Sequence, residues 1–477
     1  MGLTIQQSVP GYHLCVLVHG LWGNPSHLDY VAAALRERYP DDKLHILAAK
    51  RNAGRYTYDG IELGGERVAY EIEETLKALA ETGSEVQKLS IVGYSLGGLV
   101  ARYALGLLEA RGWLDKLEPV NFTTFATPHV GVRTPNPGIH CHIWNVLGAR
   151  TISMSGRQLF MIDSFRETGR PLLSVLADPE SIFIRALTRF KNRSVYANVV
   201  NDRSAVFYTT CISATDPFQD LGNSEMELNY VKGYEPVVID PDVYTLPPTD
   251  REHASFALST KARLTRAISN LPFLLTISFV VPIAMTLFLL NSVVQNFLSR
   301  RRIRLHEEGK TGVLFGDYRV PLIIQDMRNA VEDAFQDVNP GQDLNYHPAC
   351  DSGEFEAEFG REQMPAQSSA VANENLDDRA ELPLLQKPSE TEDSSQRNQE
   401  DNIASENDTR SGPPKLALTP AQFAIIDSLN AVRFRKYPVY IHNHRHSHAA
   451  IIVRMPKKGF EEGKIVVKHW LDNEFKV

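Results

Sequence analysis

Short apolar, β-branched runs alternate along the first half of the chain with stretches whose apolar positions recur every three or four residues. YHLCVLV (Tyr12–Val18) is apolar at nearly every position and ends at His19 and Gly20. A strand buried on both faces reads this way, and the glycine marks the turn after it. A helix should follow: Asn24 can cap it, Pro25 suits its first turn, and Leu28, Val31, Ala32 and Leu35 recur at helical spacing. LHILAA (44–49) reads as a second strand, and residues 65–79 as a helix carrying Val68, Ile72, Leu76 and Leu79 on one stripe. LSIV (89–92), a helix from 98 to about 111, and VNFTTFAT (120–127) continue the alternation. Strands alternating with helices predict a parallel sheet covered on both faces.

Beyond Pro128 the rhythm changes. Residues 128–193 are rich in Leu, Ile, Phe and Met, and segments such as PLLSVL and SIFIRALTRF have helical character. They are read either as extra core helices or as a cap over a site. SVYANVVND (194–202) returns to strand character and ends in a polar turn. Residues 271–298 hold no charged side chain, enough to cross a bilayer or dip into one. Basic residues stand on both sides, Lys261, Arg263 and Arg266 before and Arg300, Arg301, Arg302 and Arg304 after, so the positive-inside rule scarcely chooses an orientation. A hairpin with its bend near Pro282 is expected, with both ends on one side. Order should resume near Leu418: Thr419 and Pro420 open a helix through Val432, while PVYIHNH and KIVVKHW have strand-like alternation.

Composition sharpens this division. The 477 residues are 43% apolar and carry a formal charge of −8, but residues 341–415 hold 17 Asp and Glu against 6 Lys and Arg. With few aromatics there, this stretch reads as a disordered acidic linker. The rest of the chain is close to neutral, which leaves no electrostatic footprint for nucleic acid but suits an anionic lipid surface. Cys15, Cys141, Cys211 and Cys350 are too scattered for a metal knuckle or redox dithiol, so a reducing compartment is expected. The first residues show neither a basic n-region nor an apolar h-region, and Gln6 spoils a myristoylation signal at Gly2.

The chemistry centres on Gly93-Tyr94-Ser95-Leu96-Gly97, followed by Gly98. A strand enters this G-x-S-x-G and a helix leaves it, the context that holds a serine in a strained elbow with its hydroxyl exposed. Acyl transfer also needs donors aimed at the developing oxyanion. One is the N–H of the residue after the nucleophile, Leu96; the second should come from the His19-Gly20-Leu21-Trp22-Gly23 turn, with Leu21 N–H the choice. His19 reads as structural, holding that turn.

HGLWGNPSHL, GYSLGGLVARYALG, TFATPHVGV, YANVVNDRSAVFYTT and SHAAIIVR resemble the fungal serine-esterase family that includes the lipid-droplet phospholipase and related monoacylglycerol lipases. The motifs cover residues 12–210 and 439–454. The resemblance implies an α/β-hydrolase fold, a serine triad and glycerolipid ester substrates, either phospholipid or acylglycerol. Together with the apolar and acidic stretches, the expected domain plan is a core over 1–255 with the insertion 128–193, a membrane-associated segment 256–305, a connecting segment 306–340, the linker 341–415, and a C-terminal segment 416–477 that completes the core.

Asp202 closes SVYANVVND, 107 residues after Ser95, where an acid in the order Ser, Asp, His belongs. An Asn-Asp pair is more often a plain turn; the resemblance implies the acid. For the base, the tail offers His442, His444, His446 and His448 at alternate positions, which on an extended strand would share a face. No carboxylate or cysteine is interleaved, so neither a metal site nor any cofactor is expected. His448, before AAIIVR, matches the family's histidine segment. His253 is the rival on spacing, 51 residues after Asp202 against 246 for His448. The expected protein is thus a lipase or phospholipase on a lipid droplet or endoplasmic reticulum membrane, its core in the cytosol. An acyl-protein thioesterase, a peptidase, or a non-catalytic membrane scaffold on the same fold are the alternatives.

Overall fold

The computed structural model describes residues 12–133, 153–219, 221, 228–242, 271–308 and 416–477, with side chains in the long helix described from 286 onward except at 288. Six strands form one wholly parallel sheet: β1 (Tyr12–Val18), β2 (Leu44–Ala48), β3 (Val86–Tyr94), β4 (Glu118–Phe125), β5 (Asn192–Asn198) and β6 (Arg435–Val439). They lie in the order β2-β1-β3-β4-β5-β6. The chain thus starts one strand in from an edge, turns outward to β2, crosses back over β1 to β3, and runs to the other edge. With a nucleophile turn at the end of β3, this is the α/β-hydrolase fold.

The two-residue period of the strands divides the core between two faces. Leu14, Val16 and Val18 of β1, with Leu89, Ile91, Phe122 and Val195, pack under α2 (Ile61–Glu81), α3 (Leu96–Ala110) and the short helices Leu172–Leu176, Ile182–Thr188 and Pro420–Ala431. Cys15 and Leu17, with Val92, Phe125 and Tyr196, face α1 (Asp29–Arg38) and the helix Glu462–His469. β1, β3 and β4 are buried on both sides over most of their length, which is why β1 reads as a continuous apolar run rather than an alternating one. The short helices drawn from 153–193 line the first core, so the described part of the insertion is packed into the body of the fold. Asn24 accepts from Ser26 N–H and starts a 3₁₀ turn, Pro25–Leu28, before α1, and Thr419 forms a full capping box with Gln422.

Three expectations need correction. α2 begins at Ile61, ahead of Gly64 and Gly65. Those glycines stay inside the helix because a Cβ at Gly65 would lie 2.6 Å from the Tyr103 ring, so they let α2 and α3 approach closely. KIVVKHW is not a strand: Glu462–His469 is helical, with Gly463, Val466 and Val467 buried and Trp470 continuing the same face. Its β-branched residues favour a strand in isolation, but three- and four-residue spacing against the sheet decides the outcome. The expected hairpin does not form either. The backbone from Leu271 to Glu307 is one continuous helix through Pro282, because a proline removes a single ladder donor without obliging the chain to reverse.

Among the described residues no helix is long and apolar enough to cross a membrane. Cys15 and Cys211 are buried and unpaired. The linker 341–415, most of 306–340, Cys141, Cys350 and His253 lie outside the described residues.

Candidate active site

At the end of β3 the chain turns so sharply that Ser95 takes φ 54° and ψ −131°, a conformation an L-residue holds only when its surroundings enforce it. The enforcement is visible on both sides. A Cβ at Gly93 would lie 2.3 Å from Gly98 Cα, and one at Gly97 would lie 2.2 Å from the Val18 carbonyl oxygen. Only glycines let the strand, the turn and the start of α3 approach this closely. Ser95 N–H donates to Phe125 O at 2.9 Å, which ties the elbow to β4.

Ser95 Oγ lies 2.9 Å from His448 Nε2, and His448 Nδ1 lies 2.8 Å from Asp202 Oδ2. The structure therefore joins three residues from three separate segments in one hydrogen-bonded chain. Asp202 follows β5 and sits at the centre of its own cage. Its Oδ1 accepts from the N–H groups of Ser204 (3.0 Å) and Ala205 (2.9 Å), and its Oδ2 accepts from Asn198 Nδ2 (3.0 Å). Burial pushes the carboxyl toward the neutral form, but the His448 imidazole and these donors outweigh it and hold the pKa below the ordinary carboxylate value.

His448 sits in the one-turn helix Ser447–Ala450 and is buried. Ser447 Oγ donates to Val200 O at 2.8 Å, so the histidine loop is pinned to the turn that carries Asp202. Tyr94 Oη donates to His448 O at 2.9 Å and its ring lies 5.2 Å from the imidazole. Of the other tail histidines, His446 donates its N–H to His444 Nδ1 at 2.9 Å, and among the described residues none is hydrogen-bonded to Ser95. His442 stacks on Tyr440 and meets Glu462, and His444 stands edge-on to Phe460. The strand they would need to share a face ends at Val439. Among the described residues no group of three His, Cys, Asp or Glu side chains is placed to hold a metal ion.

On the side of the His19–Gly23 turn, Gly20 abuts Ser95: a Cβ there would lie 2.7 Å from Ser95 Cβ. His19 is buried with Nδ1 3.1 Å from Gly20 O, a contact within the turn rather than with Ser95. Trp22 N–H is spent on Thr57 Oγ1 at 3.0 Å. Neither Leu21 N–H nor Leu96 N–H meets an acceptor among the described residues. Leu96 opens α3, where the helix dipole adds to the attraction for a negative oxygen.

Sequence reasoning passed over Tyr94, Asn198 and Ser447. Tyr94 is the variable letter of the G-x-S-x-G motif, while Asn198 and Ser447 signal themselves only by lying four residues and one residue from the acid and the histidine. His129, in the TPH segment, is buried with its Nε2 2.9 Å from Thr124 Oγ1 and belongs to the core.

Residues 9–215 match the sequence family described as "Putative serine esterase (DUF676)". The chain is similar to "Putative lipase ROG1" of Saccharomyces cerevisiae, 32% identical over 234 residues that make up 48% of this chain and 32% of that protein. It is also similar to "Putative lipase YDL109C" of the same yeast, 31% identical over 43% of this chain and 31% of the other. The chain thus spans about a third of the length of these relatives. Among solved structures, phospholipase PlaB from Legionella pneumophila overlaps 43% of this chain and 42% of its own at 16% identity and a TM-score of 0.25. A rice cell wall degrading esterase, LipA from Xanthomonas oryzae, overlaps 34% of this chain and 46% of its own at 16% identity and a TM-score of 0.21.

Proposed function

We propose, from the match of residues 9–215 to the serine esterase family just described, that the chain is a lipid-ester hydrolase working through Ser95, His448 and Asp202. The observation that carries this reading is the continuous chain from Ser95 Oγ through both imidazole nitrogens to a caged carboxylate, built on a strained elbow. His448 Nε2 takes the Ser95 proton as Oγ attacks the ester carbonyl. Asp202 fixes the imidazole tautomer and stabilises the imidazolium. The N–H groups of Leu21 and Leu96 receive the tetrahedral oxyanion. His448 then returns the proton to the leaving alcohol, and a water activated by the same nitrogen cleaves the acyl-enzyme to release the fatty acid. The residues themselves supply every group these steps need.

The substrate we assign is a glycerolipid, phospholipid or monoacylglycerol, presented at a lipid droplet or endoplasmic reticulum surface with the core in the cytosol. Its support is physical. Trp22, beside the oxyanion turn, and Ile162 expose about half their surface, and the 271–298 stretch is free of charge. A soluble peptide substrate would give these apolar surfaces nothing to bind. Ser95→Ala should abolish fluorophosphonate labelling and ester turnover, since losing one triad member costs about 10⁴-fold or more. Undiminished turnover in that variant would refute the serine mechanism. Profiling the wild type on phospholipid, monoacylglycerol, triacylglycerol and S-acyl peptide separates the substrate classes.

A further inference from the structure

From Thr286 onward, the helix Leu271–Glu307 turns apolar side chains outward and buries polar ones, the reverse of a helix packed on a globular core. Ser292 and Ser299 are buried and Gln295, Asn296, Arg302 and His306 half-buried at helical spacing toward the protein, with Leu298, Ile303 and Leu305 half-buried among them. Its outward stripe is apolar. Leu287, Leu290, Val293, Val294 and Phe297 are each more than half exposed, with Phe297 at 69% while Ser299 is 0%. A surface helix ordinarily buries its apolar face and hydrates its polar one. Here apolar burial is confined to the half-buried Leu298, Ile303 and Leu305, while the larger apolar face points away from the core.

Polar contacts add to it, and all but the His306–Glu66 pair converge on one short segment, residues 55–59. Arg302 straddles the buried Asp59 carboxylate, Nε to Oδ2 at 2.9 Å and Nη2 to Oδ1 at 2.6 Å, while Nη2 also donates to Arg55 O at 3.1 Å. Arg67 meets the same carboxylate from α2 at 2.7 Å. His306 Nε2 lies 2.6 Å from Glu66 Oε2, and Ser299 Oγ donates to Tyr58 O at 3.3 Å. The 3₁₀ turn Gly54–Tyr58 that receives the helix also supports the oxyanion turn: Thr57 Oγ1 accepts from Trp22 N–H, and Gly54 N–H donates to Gly23 O at 2.7 Å. One segment therefore carries the long helix on one side and the Leu21-Trp22-Gly23 turn on the other.

We propose that the outward face formed by Leu287, Leu290, Val293, Val294 and Phe297 seats the protein in the acyl layer of a lipid surface bearing anionic headgroups, and that the Asp59–Arg302 latch fixes this seat beside the catalytic entrance. Charge placement selects the occupant. Arg300, Arg301 and Arg304 are exposed directly after the apolar face, a cationic collar at the level where headgroups begin, with Glu307 and Glu308 following it. A contiguous exposed face of this size needs a low-dielectric partner, and an apolar surface bordered by arginine fits lipid with anionic headgroups. The inference rests on the lipid-ester reading above for its purpose but not for its test.

The test is flotation of the full chain with phosphatidylcholine vesicles, with and without phosphatidylserine. Wild type should float with the mixed vesicles and several-fold less with the neutral ones, and raised salt should narrow the gap. Leu290→Asp with Phe297→Asp should lower partitioning at least about tenfold; Phe297→Ser, a milder change, should lower it in the same direction if the double variant is poorly folded. Ser95→Ala should float like wild type, which separates this proposal from the hydrolytic one. Arg302→Gln should still float, but its turnover of vesicle-borne lipid should fall several-fold relative to its turnover of a soluble short-chain ester. Undiminished flotation of both face variants overturns the proposal. So does a wild-type dimer that the face variants dissociate without loss of flotation, since a second copy would then be what covers the face.

Discussion

The elbow at Ser95 and the loop at His448 deliver neighbouring groups to one site by opposite means. The elbow is local: strand, serine, three glycines and helix lie within residues 86–110, and each glycine answers a steric demand set by a close neighbour. The histidine loop has no comparable internal necessity. Its position depends on β6 pairing with β5, on Ser447 reaching Val200, and on Tyr94 holding the His448 carbonyl, contacts 247 and 354 residues apart in sequence. A nucleophile whose geometry is built into its own turn is readable from a few letters. A base placed by tertiary packing can be separated from its acid by any insertion that leaves the strand pairing intact, as the residues between Asp202 and β6 do here.

The sharpest way to break this comparison is to exchange the candidate bases. His448→Ala should lower kcat by about 10⁴-fold or more, as loss of a triad base does, while the elbow keeps its fold. His253→Ala should leave turnover largely intact. If the two results were reversed, the distant loop would be structural and the shorter spacing would have named the base.

How far the sequence is legible follows the same division. The β1 to β4 alternation, the elbow and the Thr419 cap are recoverable, because each depends on residues close to it, whereas Asp202 at the end of β5 stands out from an ordinary Asn-Asp turn only through the family resemblance. Three other features are not recoverable. KIVVKHW has strand propensity, and its helical state follows from Gly463 approaching the Ala450 carbonyl, where a Cβ would lie 1.9 Å away. The Pro282 hairpin was expected from symmetric charge flanks, whereas the backbone stays helical. The polar inward face of the same helix is invisible in composition, since Ser292, Ser299 and Arg302 acquire meaning only once Asp59 is beneath them. Family resemblance, and not spacing, favoured His448 over His253.

A second prediction addresses how burial supports each region. His13 on β1 is buried with its Nε2 2.7 Å from Ser90 Oγ, and His469 is buried with its Nδ1 2.8 Å from Tyr196 Oη; burial lowers both pKa values from 6.5 to about 4. Their neutral forms are favoured in the folded protein, so their contribution is complete above pH 6.5. It is lost as pH falls toward 4, where the unfolded chain binds protons that the folded one refuses. Each group carries on the order of 3 kcal/mol at full effect. Urea unfolding from pH 7 to pH 4 should show this decline, and His469→Phe should flatten part of it. An equal slope in that variant would place the acid sensitivity elsewhere.

The smallest effect expected is that of Asn198→Ala, and it sharpens the comparison most finely, because Asn198 stands at the junction of the two regions. It ends β5, and its Nδ2 donates to the same Asp202 oxygen that meets His448. Removing that donor takes one stabilising bond from the ionised carboxylate, so the depressed Asp202 pKa must rise toward its ordinary value. An acid with a depressed pKa stabilises the fold above its unfolded value, near 3.9, and loses that contribution as pH falls through the folded one. The variant should therefore unfold at a slightly higher pH in acid titration, and its kcat should fall by roughly tenfold, the worth of one hydrogen bond to a charged group, with KM little changed. Asn198→Ser, which keeps a donor, should recover part of both. A loss of kcat with an unmoved acid midpoint would mean that Asn198 shapes the turn before Asp202 without touching its charge.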